Sequence, residues 1–481
     1  MNEGGHWDWD EKPLWSAREG HEQGRIIILS SAVRSMTSNS GFSCTPSQLR
    51  EIASDILKAA RKGGASACEL DISEGFGQSV SVRMGAVDTI EYNRDKGVEI
   101  TVYLGQRRGQ ASTSDFSRAA LRSAVDAALS IARFTAPDPC AGLADKASMA
   151  RECPDLDLFY PWNIEVDDAI ALAQRCEEAA FAVDKSICNS EGANVSTHQS
   201  HFVSANSHGF MEGFASTRHG LSCAVIAGEG EAMQREYWHD TRRDASELLS
   251  VEDIGRIAGE RALARFGAKK IRTRQAPVIF EAPLAVGLIG NFVQATSGGA
   301  LYRRSSFLLD TLGQQVFSPV IHISERPHLK KAFGATWFDG DGVATHDREV
   351  VIDGVLQGYF LSTYSARKLG LQTTGNAGGS HNLRVKAGED DLDALLRKMD
   401  KGLLVTELLG HGINYVTGDY SRGAAGFWVE KGKIKHPVQE ITIAGNLRDM
   451  FRGIVAVGND ALARGAKHCG SILIENMKIA G

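Results

Sequence analysis

The apolar positions along the chain recur with two periods, and each period predicts one type of element. In the first half of the chain, apolar residues return every three to four positions in four segments, which predicts four amphipathic helices. These helices cover residues 45–63, 115–134, 167–183 and 251–266. The first begins at Thr45-Pro46-Ser47-Gln48, a capping-box pattern with proline at the first helical position.

Alternating apolar and polar residues predict strands between these helices and throughout the second half. In the first half the predicted strands are 68–73, 79–84, 89–93 and 97–104, with glycines such as Gly75 and Gly77 as breaks. In the second half they are 275–281, 316–323, 349–352, 355–362, 426–430, 440–444 and 471–478, beside a mostly apolar stretch at 283–295 and a helix near 391–400. Residues 278–280 are all apolar, which indicates a buried strand.

This order of elements predicts an α+β fold. Units of helices and antiparallel strands come first, and a strand-rich, glycine-punctuated C-terminal domain follows. The predicted division is an N-terminal α+β domain at 45–150, a middle α+β domain at 151–269 and the C-terminal domain at 270–481. Residues 1–44 are polar and without periodicity, which indicates either a disordered tail or a start site placed too early, with translation beginning at Met36.

Composition and charge narrow the classes of function. The chain has 481 residues, 43% hydrophobic and 23% charged, with a formal net charge of −6 and no long basic run. This balance argues against nucleic acid as the main partner, because phosphate contacts require clustered Lys and Arg. The eight cysteines form no C-x-x-C pair, the first residues do not resemble a secretory signal, and no stretch of 18 apolar residues occurs. We therefore expect a cytoplasmic protein with reduced thiols and no membrane partner.

Three segments near the C-terminus carry a family resemblance. They are NYVTGDYSRGAAGFWVE at 414–430, PVQEITIAGNL at 437–447 and the tail 469–481. These segments resemble the TldE/PmbA family, and the resemblance extends over about residues 46–481. It implies a cytoplasmic chain that pairs with a TldD-type zinc subunit to form a peptidase. That complex is associated with trimming leader-bearing peptides and degrading unfolded small proteins, and family members have also been called modulators of DNA gyrase.

The resemblance also implies where a metal site would lie. The TldD side of the family binds zinc through H-E-x-x-x-H on a helix and a more distant cysteine, and the matching stretch here is 283–288. The positions of the first histidine, the glutamate and the second histidine hold Pro283, Leu284 and Leu288. None of these side chains can ligate zinc or transfer a proton. We therefore expect no catalytic residue, no metal and no cofactor in this chain, with zinc held by the partner subunit.

Histidines elsewhere give the alternative of a self-sufficient metallopeptidase. His198, His201 and His208 lie within eleven residues, but their Ser- and Gly-rich surroundings indicate strand and loop. They are therefore not expected to share one face, as histidines three apart on a helix would. Glu407 and His411 are four apart and would share a face if the apolar segment 403–409 were helical, although Gly410 and Gly412 favour a turn.

Other candidates have structural interpretations. Asp339, Asp341, His346 and Asp347 lack the spacing of a calcium loop, so a turn is the better interpretation. Cys469 can be compared with the zinc cysteine of TldD, but the default is a buried thiol.

Aromatic and basic side chains in the family-like segment complete the candidates. Tyr415, Tyr420 and Trp428 are expected in the core or at a subunit contact. Arg422 is expected to pair with Asp419 in a turn. No G-x-S-x-G or Walker A sequence is present, so the third alternative is a binding protein that regulates a partner such as gyrase without proteolysis.

Overall fold

A computed structural model describes residues 41–481 of the chain. Its helices are α1 (Pro46–Lys62), α2 (Arg118–Phe134), α3 (Val166–Phe181), α4 (Val251–Ala264), α5 (Ala282–Ala295), α6 (Gly298–Tyr302), α7 (Thr363–Leu369), α8 (Leu392–Met399) and α9 (Leu447–Arg452). The first nine strands are β1 (Ala67–Arg83), β2 (Ala86–Leu104), β3 (Arg107–Thr113), β4 (Ile187–Asn206), β5 (Met211–Glu212), β6 (Ala215–Ala227), β7 (Gln234–Arg242), β8 (Arg274–Phe280) and β9 (Ile323–Glu325). The others are β10 (Arg348–Ile352), β11 (Val355–Leu356), β12 (Leu383–Val385), β13 (Gly402–Leu409), β14 (Asp419–Glu430), β15 (Lys433–Asn446), β16 (Ile454–Val457), β17 (Lys467–His468) and β18 (Ile472–Ala480).

The four helices predicted in the first half are confirmed as α1 to α4, and the fold is α+β as expected. The capping box of α1 is present: the Thr45 hydroxyl accepts from the Gln48 backbone N–H, and the Gln48 side chain accepts from the Thr45 N–H. Residues 1–44, predicted to be a disordered tail or the result of a start site placed too early, lie largely outside the described residues, which begin at Gly41.

One antiparallel sheet in the order β3-β2-β1-β4-β6-β7, with β5 on β4, joins the strands of the predicted N-terminal and middle units. β1 and β4 pair without interruption from Glu69↔Asn206 to Val82↔Ala193. Ile72 packs with α1 and α2, whereas Val80 packs with α3 and α4. Because positions eight apart on a strand share a face, both helix pairs cover the same face of this sheet.

The predicted breaks at Gly75 and Gly77 are wrong, because both glycines lie inside the continuous strand β1. The reason is the close approach of β4: a Cβ added to Gly77 would stand 2.2 Å from the Thr197 carbonyl oxygen. Glycine here permits two backbones to approach and does not end the strand.

The C-terminal strands form a ring. β15, β14, β13, β8 and β18 follow one another as neighbours, and β15 also pairs with β18, which closes the sheet, while β16 lies beside β18. β8 has the predicted buried strand at its end, with Val278 and Phe280 in the same apolar cluster as α5 and Ile279 in the cluster of α8. A second sheet, in the order β11-β10-β9-β12-β17, lies in the same region of the chain.

Two strand predictions in this region are wrong. Only Ile323 of the predicted strand 316–323 belongs to a strand, β9, and Phe317 and Ile321 are buried in irregular chain. Of 355–362, only β11 at its start is extended, and Phe360 bonds instead to Thr296 at the end of α5. Both segments are apolar because they fill the core around α5, and burial alone does not require strand pairing.

Candidate functional site

Helix α5 occupies the position that the family resemblance assigns to the metal-binding helix. It follows the buried strand β8 directly, and Pro283 lies in its first turn, where no backbone N–H is required. The Ala282 N–H donates to the Ser471 hydroxyl at 3.0 Å, and the Leu284 N–H donates to the Glu281 carbonyl at 2.8 Å. The start of α5 is therefore fixed by Ser471, the residue before β18, and by Glu281, the residue before the helix.

A cavity of about 210 Å³ lies along this helix. Its lining contains all three positions singled out from the sequence, together with aromatic and polar groups from neighbouring strands. The lining residues are Phe280, Pro283, Leu284, Val286, Gly287, Leu288, Asn291, Leu408, Tyr420 and Arg422. The structure thus brings Pro283, Leu284 and Leu288 to one concave surface.

The side chains in this cavity do not fit a zinc ion. Zinc requires imidazole, thiolate or carboxylate donors, whereas the wall offers proline, leucines, an amide, a phenol and a guanidinium. Burial raises the pKa of the Tyr420 phenol to about 12, even though Arg422 lowers it, so the phenol stays protonated at neutral pH. The positive charge of Arg422 also opposes a cation at this position.

The aromatic residues of the family-like segment are held by specific contacts. The Tyr415 hydroxyl donates to the Asn291 Oδ1 at 2.9 Å, and Tyr420 is buried. Trp428 is also buried, with the guanidinium of Arg274 4.7 Å from its ring centre. The aromatic side chains therefore contribute to the core, as predicted.

The predicted pairing of Arg422 with Asp419 is wrong. Both residues lie on β14, three positions apart, so their side chains leave opposite faces of the strand. Asp419 accepts hydrogen bonds from Thr417 and Asn446, whereas Arg422 reaches toward the Leu408 carbonyl oxygen at 3.5 Å.

The histidines of β4 do not converge. His198 and His201 leave opposite faces of the strand, and His201 is buried 3.5 Å from the Glu74 carboxylate. His208 follows the strand, and its Nδ1 lies 3.1 Å from the Ala144 carbonyl oxygen. Among residues 41–481, no three His, Cys, Asp or Glu side chains are grouped as metal ligands.

The segment 403–409 is not helical: it is strand β13, so Glu407 and His411 do not share a helical face. Glu407 forms an ion pair with Arg265, whereas His411 lies exposed in the loop that follows the strand. Cys469 is buried, and burial raises the pKa of its thiol far above the ordinary value, so the default interpretation as a buried thiol holds.

The turn predicted at 339–342 is confirmed. The Asp339 carboxylate accepts from the backbone N–H groups of Asp341, Val343 and Ala377, each at 2.9 Å. Asp347 lies 3.7 Å from Arg326, away from this carboxylate's partners. The acidic residues thus organise loops instead of converging on a cation.

A buried network of ion pairs was missed in the sequence. Arg261 of α4 binds both Glu281 oxygens, at 2.7 and 3.0 Å, and Arg265 binds Glu236 at 2.9 Å and also Glu407. The sequence did contain a signal for these ion pairs. It is the presence of two arginines one helical turn apart on a helix face that is otherwise alanine and isoleucine. The network joins α4 to the residue that begins α5 and to β7 and β13.

A second electrostatic cluster joins the first sheet to the loop at 339–342. Burial, and then the Asp341 carboxylate, raise the pKa of Asp339 to about 7. Burial also raises the pKa of Glu69 to about 7, with a further contribution from Asp341. Because these folded-state pKa values exceed the unfolded ones, the stability that each group contributes is present at low pH and is lost as the pH rises through about 7.

This cluster predicts a pH-dependent effect of the substitution Asp341→Asn. At pH 8 the variant should unfold at a higher urea concentration than the parent, because Asp339 and Glu69 are then charged and the repulsion from position 341 is gone. At pH 5 the gain should be small, since both carboxyls are mostly protonated. The asparagine can still accept the Thr363 N–H that Asp341 accepts at 2.7 Å. Asp347→Asn, at an exposed carboxylate, is the matched control, and an equal gain at both pH values for Asp341→Asn would contradict the assignment.

Comparison with known proteins places this architecture in a family. Models of the PmbA/TldA metallopeptidase match residues 68–132 (domain 1), 159–266 (central domain) and 273–481 (C-terminal domain). The metalloprotease PmbA of Escherichia coli O157:H7 is 48% identical over 90% of this chain and 96% of its own length. The PmbA homologue of Haemophilus influenzae is 47% identical over 90% of this chain and 96% of its length.

Solved structures agree with these matches. A proposed modulator of DNA gyrase from Bacteroides thetaiotaomicron superposes with a TM-score of 0.85 at 30% identity and covers 90% of this chain and 98% of its own. TldE from Thermococcus kodakarensis, at 21% identity and a TM-score of 0.79, covers 89% of this chain and all of its own, and shows the shared fold. The chain therefore belongs to the PmbA/TldE family within the PmbA/TldD metallopeptidases.

Proposed function

We propose that this chain is the metal-free partner of a TldD-type zinc subunit, and that the two together form a cytoplasmic peptidase. The substrates would be leader-bearing peptides and unfolded small proteins. The observation that carries the proposal is the chemistry of the α5 cavity, where proline and leucines occupy the positions of a metal-binding motif and an arginine faces them. Such a wall can hold a chain but supplies no metal donor and no proton acceptor at these positions.

The cavity lies next to a strand end that could hold an extended substrate. β13 pairs with β8 only from Leu403 to Val405, and beyond Val405 it pairs with β14 alone among the described strands. Beyond Val405, the edge of β13 opposite β14 therefore has no strand partner among the described strands, and Leu409 at its end is 54% exposed. A peptide added to this edge would gain main-chain hydrogen bonds with little dependence on its sequence. In this proposal, the chain orients unfolded segments while the partner cleaves them.

The alternative of a self-sufficient metallopeptidase receives no support from the positions of His198, His201, Glu407 and His411. The alternative of a regulatory binding protein derives from relatives named as gyrase modulators, and the net charge of −6 favours a protein or peptide partner over DNA. Among residues 41–481, no helix has the length and apolar character needed to cross a bilayer.

Reconstitution tests the proposed function. The full chain should not cleave an unfolded peptide, and adding the TldD-type subunit of the same organism should produce cleavage that exceeds the activity of either chain alone. Replacing the glutamate of H-E-x-x-x-H in that partner should abolish cleavage by the mixture. Chelator-sensitive cleavage by this chain alone, persisting after a second purification step, would contradict the proposal. The proposal would also be contradicted if the chain, used to capture proteins from a lysate, bound mainly gyrase and not the zinc subunit.

A further inference from the structure

The α5 cavity contains a cationic group without a matching anion. Arg422 projects from β14 to the cavity wall, and its Nε atom is buried without a hydrogen-bond partner among residues 41–481. Its Nη2 atom lies 3.5 Å from the Leu408 carbonyl oxygen, and its guanidinium interacts with the Tyr420 hydroxyl. Neither contact brings a negative charge, and a guanidinium has five N–H groups to satisfy.

Three acidic residues adjoin the cavity lining in sequence, and each has its partners elsewhere. Asp419, beside Tyr420, accepts hydrogen bonds from Thr417 and Asn446. Glu281, which precedes α5, binds Arg261, and Glu407, which precedes Leu408 on β13, binds Arg265. No carboxylate of the described residues lies within 4.0 Å of Arg422, in contrast to these two arginines of α4. A partly buried guanidinium without an anion is costly, so the geometry favours a ligand that brings one.

The other groups at the cavity define the rest of the ligand. Around the guanidinium lie an apolar floor from Phe280, Leu284 and Leu288, and a polar side formed by Asn291 and Tyr420. A planar guanidinium binds a carboxylate through two parallel hydrogen bonds, and the apolar floor suits an aliphatic or aromatic side chain. The volume of about 210 Å³ is below that of pockets for drug-sized ligands, which limits the occupant to about one residue.

We propose that this cavity binds a carboxylate carried on a small apolar body, namely the C-terminal residue of a peptide. The carboxylate lies against Arg422 and Tyr420, and the side chain lies against the leucines of α5. The edge of β13 beside Leu408, which has no second strand partner among the described strands, is placed to receive the residues that precede the bound end. The identification of the ligand as a peptide end rests on the proposed function, whereas the preference for a carboxylate rests on the cavity alone.

Binding of small probes to the full chain tests this proposal without the zinc subunit. The probes are N-acetyl-leucine, its amide N-acetyl-leucinamide, and N-acetyl-glutamic acid α-amide, which carries its carboxylate on the side chain. Calorimetry or ligand-observed NMR should show N-acetyl-leucine binding at least about tenfold more tightly than either other probe, because only it places the anion and the apolar group together. Binding of the acid no tighter than the amide would overturn the proposal, and preference for the glutamic probe would overturn the assignment to a peptide end.

Variants locate the binding to the cavity. Arg422→Gln should reduce the ratio of acid to amide affinity to near one, and Arg422→Lys should restore part of it, because lysine keeps the charge but not the paired geometry. Arg274→Gln, at a guanidinium that stacks on Trp428, should leave the ratio unchanged. A ratio that persists in a folded Arg422→Gln variant would overturn the site. The comparison of probes on the unsubstituted chain remains decisive even if that variant does not fold. Because no peptide is cleaved, failure here is distinct from failure of the reconstitution.

Discussion

Replacing Arg261 with methionine is expected to destabilise the protein by about 3–5 kcal/mol, the usual cost of removing one partner from a buried ion pair. Arg261 is 6% exposed and contacts Glu281 and, at 3.5 Å, Glu236. Methionine fills similar space but leaves the Glu281 carboxylate buried without its counter-ion. Because Glu281 is the N-cap residue directly before α5, the lost contact should also loosen the helix that lines the cavity. Urea unfolding followed by circular dichroism measures the change.

The same substitution on the same helix supplies the control. Arg256→Met removes ion pairs with Asp253 and Glu260, but this arginine side chain is 49% exposed. Pairs at the surface contribute about 0–1 kcal/mol, so the control should unfold close to the parent. Similar destabilisation by both variants would mean that the buried network does not hold α4 against the start of α5.

Replacing Gly255 with alanine is expected to lower the free energy of unfolding by about 1–3 kcal/mol, the range found when a packed interior is overfilled. A Cβ at this position of α4 would stand 1.9 Å from the Cys176 carbonyl oxygen of α3. The two helices would have to separate, and Gly259, whose Cβ would lie 2.9 Å from the Ala180 carbonyl oxygen, shows that the close approach continues along the helix. Thermal unfolding should therefore begin at a lower temperature.

Gly290→Ala on α5 is the matched control for this second prediction. Nothing lies within 4 Å of a Cβ at Gly290, which is within a helix like Gly255. Alanine in a helix is favoured over glycine by about 1 kcal/mol, so this variant should be more stable than the parent. If Gly255→Ala were stabilising as well, helix propensity would outweigh packing, and the contact between α3 and α4 would not be as close as the structure indicates.

The parts of the fold that follow from local pattern were predictable. The helices α1 to α4 have clear amphipathic spacing, and Thr45 carries its own capping signal. Local pattern does not distinguish a buried strand from irregular chain that is buried without strand pairing. For this reason Phe317, Ile321 and Phe360 were wrongly predicted to lie in strands. The continuity of β1 through Gly75 and Gly77 depends on the approach of β4, more than a hundred residues later, which no local pattern records.

At the candidate site, too, some residues could be identified from the sequence and others could not. Pro283, Leu284 and Leu288 were identified from a resemblance, and the structure brings them to a common cavity wall. The presence of Arg422 at that wall was not predicted, because its direction depends on strand parity within β14. The helical option for Glu407 failed for a related reason: apolar runs of this length fit a buried strand as well as a helix.

The zinc content of the purified chain tests the central claim most directly. The full chain, prepared without chelator and analysed by plasma mass spectrometry, should contain far less than one zinc per chain, and titration against a competing zinc indicator should reveal no site. The complex with the TldD-type subunit should contain one zinc for each pair of chains. One equivalent of zinc held by protein donors in this chain alone would contradict the account.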